Sequence, residues 1–502
     1  MGVIAKTKEY VEEARDKMAV ELLLGVLNQL PNVSDETLVK LSYPLERLMS
    51  KEGQGAKIIQ TLRRRIQEKH PIVALLRRMM RDLNPKAKRA LANWMVITFA
   101  ERKKALRIEQ EHGVYPPLSI LISPTMRCNL RCIGCYAGGY TQSEELPESL
   151  VRRILDECRE LSTRWITFSG GEPFIYKPFL DIVADYPDMV FQVYTNGTLI
   201  NDKVADRLAE LGNVTPNISL EGLQDKTDAR RGRGIFQKVM EAMERLHERG
   251  VFFGASLTST RLNYKDIVSD EFFDLLVEKG AFNVWLFNYM PVGRNPDLSL
   301  MPTPQQRNYV RMRTNYLRRT KPILLVDFWA NGSWVGGCQS AGRGYLHINS
   351  RGEVEPCVFN HFAVDNIKEK SLLEVLKSPF FTAIRNQIPF SENTLRPCPL
   401  IDHPARMREL IRKYGAHPTD EGAAAFLSEF AAGLDRYAAG IARIYEKVWE
   451  EHEKDWVAWW LGDAPEEPPP EELPEDIEEL IEEPLVPPMP EPIPEKVGEP
   501  VA

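Results

Sequence analysis

Three cysteines within eight residues, Cys128, Cys132 and Cys135, follow directly on an extended apolar run, Leu118 to Ile122. Thiols gathered this closely after a strand belong to a loop that wraps one inorganic centre at the end of a sheet. Clusters held by cysteine alone take four thiolates, so a compact set of three points to a 4Fe-4S cubane with one iron open to another ligand. A zinc knuckle or three buried thiols is the competing reading, since soft thiolates suit zinc as well. Structural zinc asks for four closed ligands, and the next candidate, His112, lies upstream across the strand.

The rest of the chain carries a matching series of motifs. The cysteines are spaced C-x3-C-x2-C, with an aromatic residue, Tyr136, after the third. Downstream come Ser169-Gly170-Gly171-Glu172, then Thr195-Asn196-Gly197, then Ser219-Leu220-Glu221-Gly222, and finally Asp228-Ala-Arg230-Arg231. In this order they resemble the radical S-adenosylmethionine (SAM) superfamily. The resemblance implies that Cys128, Cys132 and Cys135 hold a 4Fe-4S cluster whose open iron chelates the amino and carboxylate groups of SAM. It makes Gly170, Gly171 and Glu172 the Gly-Gly-Glu motif, with backbone close to the ligand and an acid for its ammonium. Asn196, Ser219 and Glu221 become candidates for polar contacts, including the ribose, although strand-end turns would also use such residues. Arg230 or Arg231 would face the SAM carboxylate, and Tyr289 to Arg294 would line the adenine or substrate side. Gly232-Arg-Gly234 lacks the third glycine of a dinucleotide fingerprint and does not directly follow a strand.

Between Leu118 and Met290 short apolar runs alternate with amphipathic ones. The pattern predicts strands at 118–122, 165–169, 190–195, 215–220, 252–257 and 283–289, with helices at 148–161, 202–211, 236–249 and 270–279. Six strand-helix units imply an α/β fold with a parallel sheet and right-handed crossovers. Six units, rather than eight, match the partial (β/α)6 TIM-like barrel that the resemblance implies, with the active site at the C-terminal ends of the strands.

A second set of cysteines follows: Cys338, Cys357 and Cys398, with Gly352 giving C-x13-G-x4-C. It resembles the auxiliary-cluster extension called SPASM, or its shortened twitch form, and implies a second 4Fe-4S cluster. A full extension has more cysteines, so here the fourth iron is free for substrate or filled by a residue such as Asp402 or His361. Separate buried thiols or zinc is the competing reading. Tyr345 to Cys357 reads as a hairpin turning at Ser350-Arg-Gly352, and Cys158 reads as a core residue.

Composition bounds the rest. At 43% hydrophobic and 27% charged, 502 residues can bury a substantial core. No run approaches the roughly 18 apolar residues of a membrane span, and reduced thiolates call for a reducing compartment, so a cytoplasmic protein is expected. Residues 55–110 carry 15 Lys or Arg against four acids. Such basic helices suit a solvated face, an anionic membrane surface or an acidic substrate, so contact with the membrane periphery stays open. Residues 463–502 hold 14 acids, one lysine and 12 prolines, a composition that favours disorder. Without them the chain's charge of −7 becomes +6. The reading therefore divides the chain into a basic helical region 1–112, a partial barrel 113–320, a cluster-binding extension 321–405, helices 406–462 and the tail 463–502. The aromatic run from Trp449 to Trp460 is expected to dock the last helix on the body.

The resemblance further implies an enzyme that cleaves SAM reductively to a 5'-deoxyadenosyl radical and abstracts hydrogen from its substrate. An electron donor such as flavodoxin or ferredoxin would serve it, and no nucleic acid is expected. No catalytic side chain beyond the cluster and SAM is implied. Auxiliary-cluster relatives commonly modify peptides or proteins, while the basic, Met- and Trp-rich flanks favour a lipid or other amphiphile. The alternative is a non-catalytic iron-sulfur protein for electron transfer or redox sensing.

Overall fold

The computed structural model describes residues 27–48 and 54–461, a few positions between 18 and 25, and residues 468 and 471. Apart from Pro468 and Glu471, the tail expected to be disordered lies outside the described residues.

Five helices lead the described chain: α1 Asp35–Leu48, α2 Gln54–Gln67, α3 Pro71–Asp82, α4 Pro85–Ala100 and α5 Arg102–His112. Pro71 and Pro85 open their helices at the position where a missing N–H costs nothing. Between α3 and α4, Asn84 accepts from the Ala87 N–H at 2.9 Å and donates its amide to the Ala209 and Arg249 carbonyls. Its backbone N–H reaches the Gly250 carbonyl at 2.9 Å. Arg78, buried, donates to the carbonyls of Val277 (3.2 Å) and Ala281. Arg77 donates to Leu30 and Val33 carbonyls and pairs with Asp35 at 2.9 Å. Arg78 and Asn84 thus fasten the helices to the turns at the N-terminal ends of the strands, while Arg77 ties α3 to the segment before α1.

The sheet begins with six parallel strands: β1 Ser119–Ile122, β2 Trp165–Phe168, β3 Val190–Thr195, β4 Val214–Leu220, β5 Gly254–Ser259 and β6 Asn283–Asn288. Between them run α6 Glu148–Glu160, α7 Phe179–Ala184, α8 Asp202–Leu211, α9 Gln224–Arg231, α10 Ile235–Glu248 and α11 Asp270–Glu278. Each long helix has one apolar stripe. In α6 it is Val151, Ile154, Leu155 and Cys158, at the i, i+3, i+4, i+7 positions that face the sheet. They meet strand residues such as Ile120, Ile122, Phe168, Phe191 and Val193, all fully buried. Cys158 is a core residue, as expected.

Two further strands extend this sheet. After α12 Pro304–Thr320, β7 Leu324–Asp327 pairs parallel with β6, and β8 Tyr345–Ile348 pairs parallel with β1. The expected hairpin is present: β9 Glu353–Glu355 runs antiparallel to β8, with Gly352 at φ 82° in the turn. Eight parallel strands therefore curve around the interior, two more than the sequence pattern suggested. β7 is four residues after an arginine-rich helix, and β8 already serves its hairpin, so neither carries a strand-helix signature. A short strand, Asp365–Asn366, pairs antiparallel with β9 at one edge, and from there the sheet order runs β9-β8-β1-β2-β3-β4-β5-β6-β7, with β7 and β8 unpaired to each other, so the barrel stays open.

The C-terminal part adds α13 Pro404–Tyr414, α14 Ala431–Val448 and α15 Lys454–Leu461. Trp459 of α15 lies 5.0 Å beneath the Arg64 guanidinium of α2 and edge-on to Trp456, so the aromatic run docks on the N-terminal helices.

Candidate functional site: two thiol triads on one cavity

The loop after β1 carries the first three thiols, and the C-terminal ends of its neighbours hold it from several sides. From β2, Gly171 N–H donates to the Thr125 carbonyl at 3.0 Å and Glu172 N–H to that of Arg127 at 2.8 Å. A Cβ on Gly171 would stand 2.2 Å from the Arg127 carbonyl oxygen, and one on Gly170, at φ 113°, would stand 2.4 Å from that of Thr125. The glycines are needed for this strand-to-loop contact as well as for room on the cavity side. Tyr136 shares a 2.5 Å hydrogen bond with Ser169, immediately before them.

From β3, Asn196 donates to Asn129 Oδ1 at 2.9 Å and lies 3.8 Å from the Cys128 sulfur. From α9, Arg230 donates to the carbonyls of Ile133 (3.1 Å) and Gly134 (3.4 Å). Beyond β6, Arg294 N–H donates to the Cys135 carbonyl at 3.0 Å.

The two acids named above stand behind the wall. Glu172 is fully buried, accepting from Thr195 Oγ1 (2.8 Å) and from the N–H groups of Asn196 (2.8 Å) and Phe174 (3.2 Å). Burial pushes its carboxyl up to about 7 against those donors. Glu221 Oε1 accepts from Arg230 at 2.6 Å and from Arg231 Nε at 2.8 Å, while its Oε2 is buried without a hydrogen-bond partner. Neither acid lines the cavity, whereas Gly170, Gly171, Tyr136, Asn196, Ser219, Arg230 and Arg231 all do. Of the Tyr289 to Arg294 stretch, Tyr289 and Met290 line it. Gly293 instead packs against the Cys135 and Tyr136 carbonyls.

Cys128, Cys132 and Cys135 line the same cavity, of about 410 Å³, as Cys338, Cys357 and Cys398. Burial pushes the Cys128 thiol up to about 11 and the Cys357 thiol up to about 12, so a bound cation is what would make either a thiolate at neutral pH. Among the described residues no group of three or more His, Cys, Asp or Glu is arranged around a single metal ion. Two sets of three thiols on one cavity fit clusters bound at their corners.

Aromatic rings fill the wall between the triads. Tyr136 meets Phe359 edge-on at 5.6 Å, Phe359 meets Trp329 and Phe287 at 5.8 and 6.1 Å, and Trp285 stacks on Phe287 at 6.4 Å. Tyr136 stood out in the sequence as the aromatic residue after the third cysteine, whereas Phe359, Trp329, Phe287 and Trp285 did not. Their signal is strand alternation, which puts Trp285, Phe287 and Tyr289 on one face of β6, and Trp165, Thr167 and Ser169 on one face of β2.

The candidates for a fourth auxiliary ligand are both committed elsewhere. Asp402 forms a bidentate pair with Arg307 (2.6 and 3.1 Å) and accepts from the Cys398 N–H. His361 lies 2.9 Å from Asp420 through Nδ1 and 3.0 Å from the Val358 carbonyl through Nε2. A buried network also ties the two cluster regions together. Glu355 accepts from Tyr140 beyond the cysteine loop (2.8 Å), from Thr419 (2.5 Å) and from Asn349 (3.0 Å), and lies 2.6 Å from His347, whose other nitrogen is 2.7 Å from Ser123 after β1.

Family and fold agree with this geometry: the chain belongs to the radical SAM superfamily. The profile of that superfamily matches residues 122–271, and the profile of the SPASM iron-sulfur cluster-binding domain matches residues 338–399. The mycofactocin maturase MftC of Mycobacterium tuberculosis is 30% identical over 302 residues, covering 54% of this chain and 76% of the relative. The Fe-coproporphyrin III synthase of Methanosarcina barkeri is 27% identical, covering 53% and 75%. The sporulation killing factor maturation protein SkfB of Bacillus subtilis is 26% identical, covering 52% and 65%. Among solved structures, Streptococcus suis SuiB bound to S-adenosylmethionine is 21% identical, with a TM-score of 0.49 over 66% of this chain and 80% of SuiB. The protein is thus an enzyme that uses a 4Fe-4S cluster with SAM and carries additional iron-sulfur binding in its SPASM region. No described helix is long and apolar enough to cross a membrane.

Proposed function

We propose that the enzyme abstracts hydrogen from an unactivated carbon of an apolar or aromatic group lodged between the two thiol triads, and that this group belongs to a peptide or protein. One observation carries the reading: both triads line a single cavity whose intervening wall is aromatic and uncharged. A cluster held by Cys128, Cys132 and Cys135 would, once reduced by an external one-electron donor, pass that electron to bound SAM, whose cleavage would give methionine and a 5'-deoxyadenosyl radical.

The chain's own residues do the rest. Cys128, Cys132 and Cys135 hold the SAM cluster, and Cys338, Cys357 and Cys398 the auxiliary one. Arg231 faces the SAM carboxylate, because among the described residues its guanidinium hydrogen-bonds only to Glu221 and it lies on the cavity. Arg230 instead fastens the cysteine loop. Asn196 and Ser219 supply neutral polar contacts, while Glu172 and Glu221 position those that touch SAM. The aromatic wall excludes water and holds the substrate carbon near the reactive group.

Relatives named for maturation support the peptide reading. A second reading, an acyl chain of an amphiphile, draws on the cavity's apolar rim, where Leu118 and Val335 are 54% and 45% exposed. Anaerobic extracts of cells with and without the gene, compared by mass, test both. The proposal expects a mass change in the peptide or protein pool. A change confined to lipids would replace it with the second reading, and no change in either would overturn both.

A further inference from the structure

The auxiliary triad offers three thiols to a cubane with four corners. Asp402 and His361 are engaged as described, and Ser340 Oγ accepts from the Cys338 sulfur at 3.2 Å. Tyr345, the first residue of β8, is different. It lines the cavity beside all three thiols, its ring held edge-on to Phe328 at 5.8 Å. Its phenol oxygen is buried, faces the Cys357 sulfur and makes no hydrogen bond of regular geometry. A buried hydroxyl left unsatisfied is destabilising, and a ligand at that point removes the penalty.

Asn360 Oδ1 is also buried without a partner on this cavity. An amide oxygen is neutral, however, whereas a phenol that sheds its proton matches the charge of the missing thiolate, and iron takes tyrosinate in haem proteins.

We propose that Tyr345 is the fourth protein ligand of the auxiliary cluster, its phenol proton leaving to solvent as the oxygen binds iron. The cluster is then closed by the protein, so it exchanges electrons and does not ligate the substrate. This rests on the reading that Cys338, Cys357 and Cys398 hold a cluster.

The test uses the full chain with Cys128→Ala, Cys132→Ala and Cys135→Ala, reconstituted anaerobically with iron and sulfide so that only the auxiliary site can fill. This parent is expected to hold about four irons and to show a phenolate-to-iron charge-transfer band. Adding Tyr345→Phe keeps the ring packing. It should lose about one iron in four, abolish the band and give the paramagnetic signal of an oxidised three-iron cluster. Unchanged iron, spectrum and absorption in Tyr345→Phe would overturn the assignment. A parent that binds no iron would remove the auxiliary site itself and the assignment with it.

Discussion

Arg230 and Arg231 are adjacent in sequence and share one carboxylate, yet their surroundings give them different work. Arg230 spends its donors on Glu221 and on the loop carbonyls of Ile133 and Gly134. Both arginines line the cavity, but Arg231 makes no hydrogen bond to the loop among the described residues and pairs with Glu221 alone. A charge-assisted hydrogen bond is worth about 1.5–3 kcal/mol, so Arg231→Ala should weaken SAM binding about 10- to 100-fold while iron content holds. Arg230→Ala should instead lower the iron retained by the loop. Equal losses in both variants, measured by SAM titration and iron analysis, would contradict this division.

His361 gives a pH signature at the same scale. Burial alone would lower its pKa, but Asp420 at 2.9 Å, helped by Glu355, raises it above its usual 6.5. A raised folded-state pKa contributes stability that is fully present below about pH 6.5 and is lost as pH climbs through the folded value. The gap in thermal midpoint between wild type and His361→Gln should therefore be wider at pH 6 than at pH 9. An equal gap would mean that folding leaves the ring's pKa unshifted, and a narrower one at pH 6 that the fold keeps it neutral.

At the scale of elements, the cysteine loop is shaped by its neighbours as much as by its own sequence. Gly171→Ala should displace it, because the new Cβ meets backbone at 2.2 Å rather than a side chain that could swing away. Overpacking of this kind costs about 1–3 kcal/mol. Anaerobic reconstitution of that variant should give markedly less SAM-site iron, and normal loading would show the contact to be dispensable. Much of this region was legible because its signals are local. Thiol spacing, strand-helix alternation and terminal prolines each sit within a few residues, and β3 and α8 have the very bounds that the pattern suggested. Long-range pairing left less trace. Nothing near Tyr345 announces a parallel ladder to Ser119, 226 residues earlier, and nothing near Glu172 announces that its carboxylate accepts from the end of β3. The roles drawn for the SAM-facing residues came from the order of the motifs; their separation into cavity wall and support needed the third dimension.

For the molecule as a whole, the open edges of the barrel, β7 and β8, are joined by the segment that carries Cys338, so the auxiliary region closes over the same interior that the SAM site faces. The buried Glu355 network couples the two halves structurally, but each triad supplies its own thiols. Cys398→Ala should accordingly remove the auxiliary iron and leave the SAM cluster assembled. Unchanged total iron in that variant would sink the two-cluster account.

The measurement that bears most directly on the central claim is 5'-deoxyadenosine formed from SAM by the anaerobically reconstituted, dithionite-reduced protein, beside Cys132→Ala. The account predicts production by the wild type alone. No production by wild type carrying its confirmed SAM cluster, with the extract-derived substrate pools supplied, would contradict it and leave an iron-sulfur protein that carries electrons without radical catalysis.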